Sequence, residues 1–121
     1  MTYDYDDQNI FAKILRGEIP NKTVFESDTA LAFEDIEPQA PVHILVIPKG
    51  PYTSLDHFAA QASADEQLGF MHAVSEVCKA AGVENGFRAI SNARQDGVQE
   101  VPHFHLHILG GRRMGRMVQP A

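Results

Sequence analysis

The chain has 121 residues, 44% hydrophobic and 21% charged, which fits one domain with its own core and leaves no room for a second. Ten Lys and Arg against sixteen Asp and Glu give a net charge of −6, which argues against gripping long nucleic acid through clustered cations. Cys78 is alone, so no internal disulfide forms; the acidic start MTYDYDDQN does not read as a signal peptide, and no run approaches the roughly 20 apolar residues of a membrane span.

These features predict a cytoplasmic protein, one domain over 1–121, with loose tails at 1–8 and 114–121. Asn9 can cap a short helix in which Ile10, Phe11, Ile14 and Leu15 recur at helical period, ended by Gly17 and Pro20. Thr23–Glu26 and Leu31–Asp35 read as a strand pair turning at Ser27 and Asp28. Pro38, Ala40 and Pro41 make a rigid crossing into Val42–Ile47, a β-branched strand stopped by Pro48, Gly50 and Pro51.

A long helix is expected over Ala64–Ala81. Ser63 and Glu66 form a capping box, Leu68, Met71, Val74, Cys78 and Ala81 an inward stripe, and Gly82 a stop. Gly86–Asn92 and Val101–Leu109 read as the last two strands, with a turn at Asp96 and Gly97. Hairpin connections with segregated helices predict an α+β fold on an antiparallel sheet.

The segment His103-Phe104-His105-Leu106-His107-Ile108-Leu109 carries the chemical signal. Alternation along a strand puts His103, His105 and His107 on one face and Phe104, Leu106 and Ile108 on the other, as core. The imidazoles then stand in a row at roughly 6.5–7 Å spacing, twice the strand rise. Half of the six histidines fall within five residues, which makes chance alternation a weak explanation. His57 and His72 read as surface or packing residues. Two chemistries compete for the row. One is a metal site, since histidine is the commonest ligand, although Glu100 is the only carboxylate close by. The other is phosphoryl transfer, with one imidazole as nucleophile and its neighbours holding charge on phosphoryl oxygens.

The run HFHLHILGG resembles the histidine-triad pattern, and Gly110-Gly111-Arg112 after it resembles the Hint branch, the histidine triad nucleotide-binding proteins. Ile10–Pro20, Leu31–Lys49 and Gln99-Glu100-Val101 resemble Hint segments in the same order, so the likeness spans about residues 9–113. It implies a five-stranded antiparallel sheet with two helices, extended across a homodimer. It also implies cleavage of the P–N bond of AMP-amines through a nucleotidyl-histidine intermediate, with no cofactor and no metal. His105 matches the nucleophile and His107 a donor to phosphate oxygens. His103 matches the buttress of the row, and His43 a further histidine bonded within it. Asn92 and Gln99 match polar residues near the phosphate or leaving group, and Asp35 the carboxylate for the ribose hydroxyls. Ile10, Phe11, Ile14, Phe33, Ile36 and Leu45 match the apolar pocket for a purine base; without the resemblance they read as plain core. Glu100 and Val101 complete the expected substrate contacts.

Three positions depart from the pattern. Glu100 stands where animal members carry Ser; bacterial members can carry Glu. Val98 stands where a second Gly is usual; a branched residue disfavours positive φ, which predicts a reshaped loop. Pro102 replaces a common aromatic and removes a ladder donor, which predicts a local break in pairing. Alternative readings are a dinucleoside polyphosphate hydrolase or nucleotidyl transferase of the same superfamily, a non-enzymatic nucleotide-binding module, and a metal-binding protein. The Gly-Gly-Arg ending argues against the polyphosphate hydrolase, chain length against a larger transferase and the intact triad against the non-enzymatic module.

Overall fold

The computed structural model describes residues 2–120; the outermost residue of each expected tail, Met1 and Ala121, lies outside them. Among the described residues three helices, α1 (Ile10–Leu15), α2 (Leu55–Gln61) and α3 (Ala64–Ala81), accompany five strands: β1 (Thr23–Glu26), β2 (Ala30–Glu34), β3 (Val42–Pro48), β4 (Phe87–Ile90) and β5 (Leu106–Gly110). The strands form one antiparallel sheet in the order β1-β2-β3-β5-β4. Among the described residues no helix is long and apolar enough to cross a membrane.

The local signals act where the sequence puts them. Asn9 accepts the Ala12 N–H through its side chain, Ser63 and Glu66 close a reciprocal capping box, and Gly82 ends α3 in the left-handed conformation at φ 68°. Helix α2 is additional to the two expected helices. It is a seven-residue turn of chain that buries His57 and Phe58, too short for a periodic pattern to show.

The inward stripe of α3 is corrected. Leu68 and Met71 are 70% and 65% exposed, while Phe70, Ala73 and Val77 are buried and Val74, Cys78 and Ala81 pack beside them. Two apolar stripes compete on this helix, and the aromatic one wins because Phe70 meets Phe58 and Phe104 at ring-centroid distances of 5.3 and 5.0 Å. Gly69 fixes the same rotation: a Cβ there would collide with the Thr29 side chain.

The sheet has two working faces. Ala30, Ala32, Ile44, Val46 and Ile108 pack with Phe104 against α2 and α3. Leu31, Phe33, Leu45 and Ile47 pack with Phe11 of α1 on the other side. In the β3–β5 ladder Leu45 opposes His107 and Ile44 opposes Ile108, so the side carrying α1 also carries the candidate chemistry.

The last strand begins at Leu106, not Val101. Pro102 has no N–H, residues 101–103 bend, and Phe104 N–H bonds to the Tyr52 carbonyl at 2.7 Å, outside the ladder. The segment expected as a loose N-terminal tail makes contacts with the rest of the chain. Tyr3 stacks on His57 at 4.3 Å and donates to Asp56, and Arg16 binds the Asp7 carbonyl.

The loop before the triad keeps the left-handed turn in spite of Val98. Val98 has φ 54° and Arg94 φ 58°, and the turn closes through Gln99 N–H to the Arg94 carbonyl at 3.0 Å. An L-residue held there costs about 1–2 kcal/mol. The Val98 side chain is 71% exposed and offsets little of this by packing. Val98→Gly is therefore expected to raise stability by up to about 1 kcal/mol after glycine's larger unfolded-state entropy is counted. An unchanged or lower urea midpoint would refute the strain.

Candidate active site

His105 and His107 stand edge to face with ring centroids 5.0 Å apart, closer than strand rise alone predicts. Phe11 meets both His105, at 5.0 Å, and His103, at 6.3 Å, so the three rings share the α1 side of the sheet. Only His107 lies within β5; His103 stands in the bend at 101–103 and His105 just before the strand. His103 is fully enclosed, His105 is buried and His107 half-buried.

Fixed backbone groups determine the tautomers of three imidazoles and, through His43, that of a fourth. The His103 carbonyl lies 2.7 Å from His105 Nδ1. A carbonyl only accepts, so Nδ1 carries the proton and His105 Nε2 keeps its lone pair. Pro48 O lies 2.9 Å from His103 Nε2, which therefore carries a proton, and His103 Nδ1 accepts from the Tyr5 hydroxyl at 2.7 Å. On β3, the Gln39 N–H reaches His43 Nδ1 at 3.0 Å, so His43 carries its proton on Nε2. That proton points to His107 Nδ1 at 2.9 Å, leaving His107 with an N–H at Nε2. The row thus presents an unprotonated nitrogen on His105 beside an N–H on His107. Neither Nε2 has a hydrogen-bond partner among the described residues, and no side-chain nitrogen or oxygen there is both fully buried and unpartnered; both atoms therefore reach solvent.

Burial keeps all four rings neutral. It lowers His103 and His107 to about 4, the latter aided by its neighbours His105 and His43. Burial likewise lowers His105, against the opposing effects of the His103 carbonyl, Asp35 and Glu100, and lowers His43 against the pull of Asp35. Folded values below the unfolded 6.5 mean that the unfolded chain binds more protons between those limits. Stability is therefore complete above about pH 6.5 and is lost as pH falls toward 4; His103 alone contributes on the order of 3 kcal/mol. Urea midpoints that stay level from pH 7 to pH 5 would contradict this.

The expected substrate residues separate into groups. Phe11, Phe33 and Leu45 are buried in one cluster with Ile14 and Val101 packed against it. Ile10 stands half-exposed and Ile36 is 96% exposed, outside that cluster. Asp35 is half-buried; its Oδ2 lies 3.4 Å from His43 Nε2 and its Oδ1 accepts the Glu37 N–H. Asn92 is half-buried and Glu100 exposed. Gln99 has another task here. Its amide donates to Thr53 O and Val101 O and accepts from Arg94 N–H, so it braces the loop with no N–H to spare for a phosphate. Sequence reading missed Gln39, which acts through its backbone, and Tyr5, whose partner is 98 residues away; neither leaves a local signal.

Asp35, His43 and His107 offer three ligand atoms within 4.8 Å of one another. The donor set does not fit a cation. With the Gln39 N–H on Nδ1, His43 presents a proton and not a lone pair at Nε2; that proton goes to His107 Nδ1, and Asp35 Oδ2 lies 3.4 Å from the same nitrogen as a charged neighbour.

The HIT domain model matches residues 16–114. A 13.2 kDa HIT-like protein of Azospirillum brasilense is 55% identical over 98% of both chains. The purine nucleoside phosphoramidase of Escherichia coli is 41% identical over 93% of this chain and 94% of its own. A histidine triad protein from Clostridium difficile superposes with a TM-score of 0.78 at 41% identity, covering 90% of this chain and 95% of that one. A triad of imidazoles on an antiparallel five-stranded sheet, matched in sequence and in structure over nearly its whole length, belongs to the histidine-triad family, in its Hint-type branch.

Proposed function

We propose that the protein hydrolyses purine nucleoside phosphoramidates, AMP-amines above all, in two displacements at phosphorus. In the first, the lone pair of His105 Nε2 attacks the α-phosphorus, the P–N bond to the amine breaks, and the amine departs with a proton taken from solvent. In the second, water attacks the nucleotidyl-histidine, the P–N bond to His105 breaks, and the nucleoside monophosphate is released. His107 Nε2–H donates to the non-bridging oxygens, where charge accumulates. Asp35 accepts from the ribose diol, and the Phe11, Phe33 and Leu45 cluster receives the base.

The observation that carries this reading is the unprotonated, solvent-reaching Nε2 of His105 beside the N–H of His107. The name of the Escherichia coli relative supports the bond and the substrate class. We further propose a cytoplasmic homodimer joined along β4, one of the two edges of the sheet, where Phe87 is 48% exposed. An alkyl phosphoramidate of AMP, given to purified protein in excess chelator, is expected to yield AMP and the free amine. No AMP release sinks the reading, and release only after metal is restored sinks the metal-free mechanism.

A further inference from the structure

The acidic N-terminal segment enters the histidine row. Tyr5 places its hydroxyl 2.7 Å from His103 Nδ1, with the two rings edge to face at 5.6 Å. His103 is fully enclosed, and its other nitrogen is committed to Pro48 O. The same residue's carbonyl holds His105 Nδ1. The approach of Tyr5 is fixed on both sides. Downstream, Asn9 and Arg16 bind the carbonyls of Asp6 and Asp7. Upstream, Tyr3 stacks on His57 and donates to Asp56, which also pairs with Arg94 of the loop before the triad.

We propose that Tyr5 is a positioning residue of the catalytic row: its hydroxyl donates to His103 Nδ1, holds that ring in one tautomer and one orientation, and through the His103 carbonyl aims the nucleophilic nitrogen of His105. Only the hydroxyl can be the donor, because His103 Nε2 already gives its proton to Pro48 O and the neutral ring has no second one. Burial raises the Tyr5 phenol above its ordinary value, so it keeps its proton through the neutral range. Without the hydroxyl, an enclosed ring nitrogen loses its only donor, and such a vacancy is relieved by changing tautomer or turning the ring.

Tyr5→Phe keeps the ring and the packing and removes only the donor. Nitrogen-15 NMR of the histidine rings reads the effect directly. In the wild-type protein His103 Nδ1 is expected as an unprotonated nitrogen accepting a hydrogen bond, with the proton on Nε2; in Tyr5→Phe that signal moves to a free ring nitrogen or to mixed tautomers. The kinetic arm rests on the phosphoramidate reading, and there kcat is expected to fall roughly tenfold with KM little changed. Tyr3→Phe is the control. It loosens the same segment without touching the row, and is expected to leave both the His103 signals and kcat as they are. A protonated Nδ1 in the wild-type protein, unchanged His103 signals or unchanged kcat in Tyr5→Phe, or an equal loss of kcat in Tyr3→Phe overturns the proposal. A wild-type protein that releases no AMP defeats the proposed function instead, while the nitrogen spectra still decide the role of Tyr5.

Discussion

His105→Gly is expected to abolish AMP release from a phosphoramidate, lowering kcat on the order of 10⁴-fold or more, because the covalent route loses its nucleophile. The remaining groups cannot take over. His107 carries a proton on its outward nitrogen, His43 donates to His107, and His103 is enclosed with both nitrogens engaged. What survives is the charge stabilisation and binding that the pocket offers to a water molecule. The fold should persist, since His105 contributes ring contacts to Phe11 and His107 and one bond to a carbonyl. Circular dichroism like that of the wild-type protein, with turnover reduced to background, is the expected pair of results. A variant within tenfold of wild type removes His105 from the nucleophile's role.

Phe104→Ala, one residue away, is expected to act on stability instead. Its ring is fully buried on the opposite face and packs against Phe58 at 5.3 Å and Phe70 at 5.0 Å, at the meeting point of α2, α3 and the sheet. Truncating such a ring removes its transfer free energy and leaves a cavity that neighbouring elements close only in part. The expected loss is about 3–5 kcal/mol, which lowers Tm by roughly 10–20 °C at fixed protein concentration. A loss under about 1 kcal/mol would mean that α3 re-seats on the sheet, and the aromatic cluster would not be what sets its rotation.

The sequence was most legible where one residue type decides one backbone event. Asn9, the Ser63–Glu66 box and Gly82 mark their helix ends correctly, because each satisfies backbone groups a few residues away. Pro102 marks the break in pairing before β5 for the same reason. The alternation from Phe104 to Ile108 separates core from site correctly. Where two patterns compete, sequence does not choose. The face of α3 was decided by Phe58 and Phe104, which come from other elements, and by the closeness of Thr29 to Gly69. At Val98, the surrounding turn imposed a conformation that the residue resists. Within the candidate site, the residue types of the row were legible and their protonation was not. Each tautomer depends on a carbonyl, an N–H or a hydroxyl brought in from a distant part of the chain: Pro48, Gln39 and Tyr5. Gln99 was assigned to substrate by resemblance, and only the folded loop shows its amide bonded to its own surroundings.

The pairing of Leu45 with His107 and of Ile44 with Ile108 acts as a safeguard during folding. Sliding the last strand by one position would exchange the two sides of the sheet, thrusting imidazoles into oil and turning Phe104 and Ile108 out to water. Such a misthreaded chain forfeits its aromatic core at once, so few molecules settle there. The greasy side of this strand therefore proofreads the reactive side, and a chain that has found its core has already set its histidines in order.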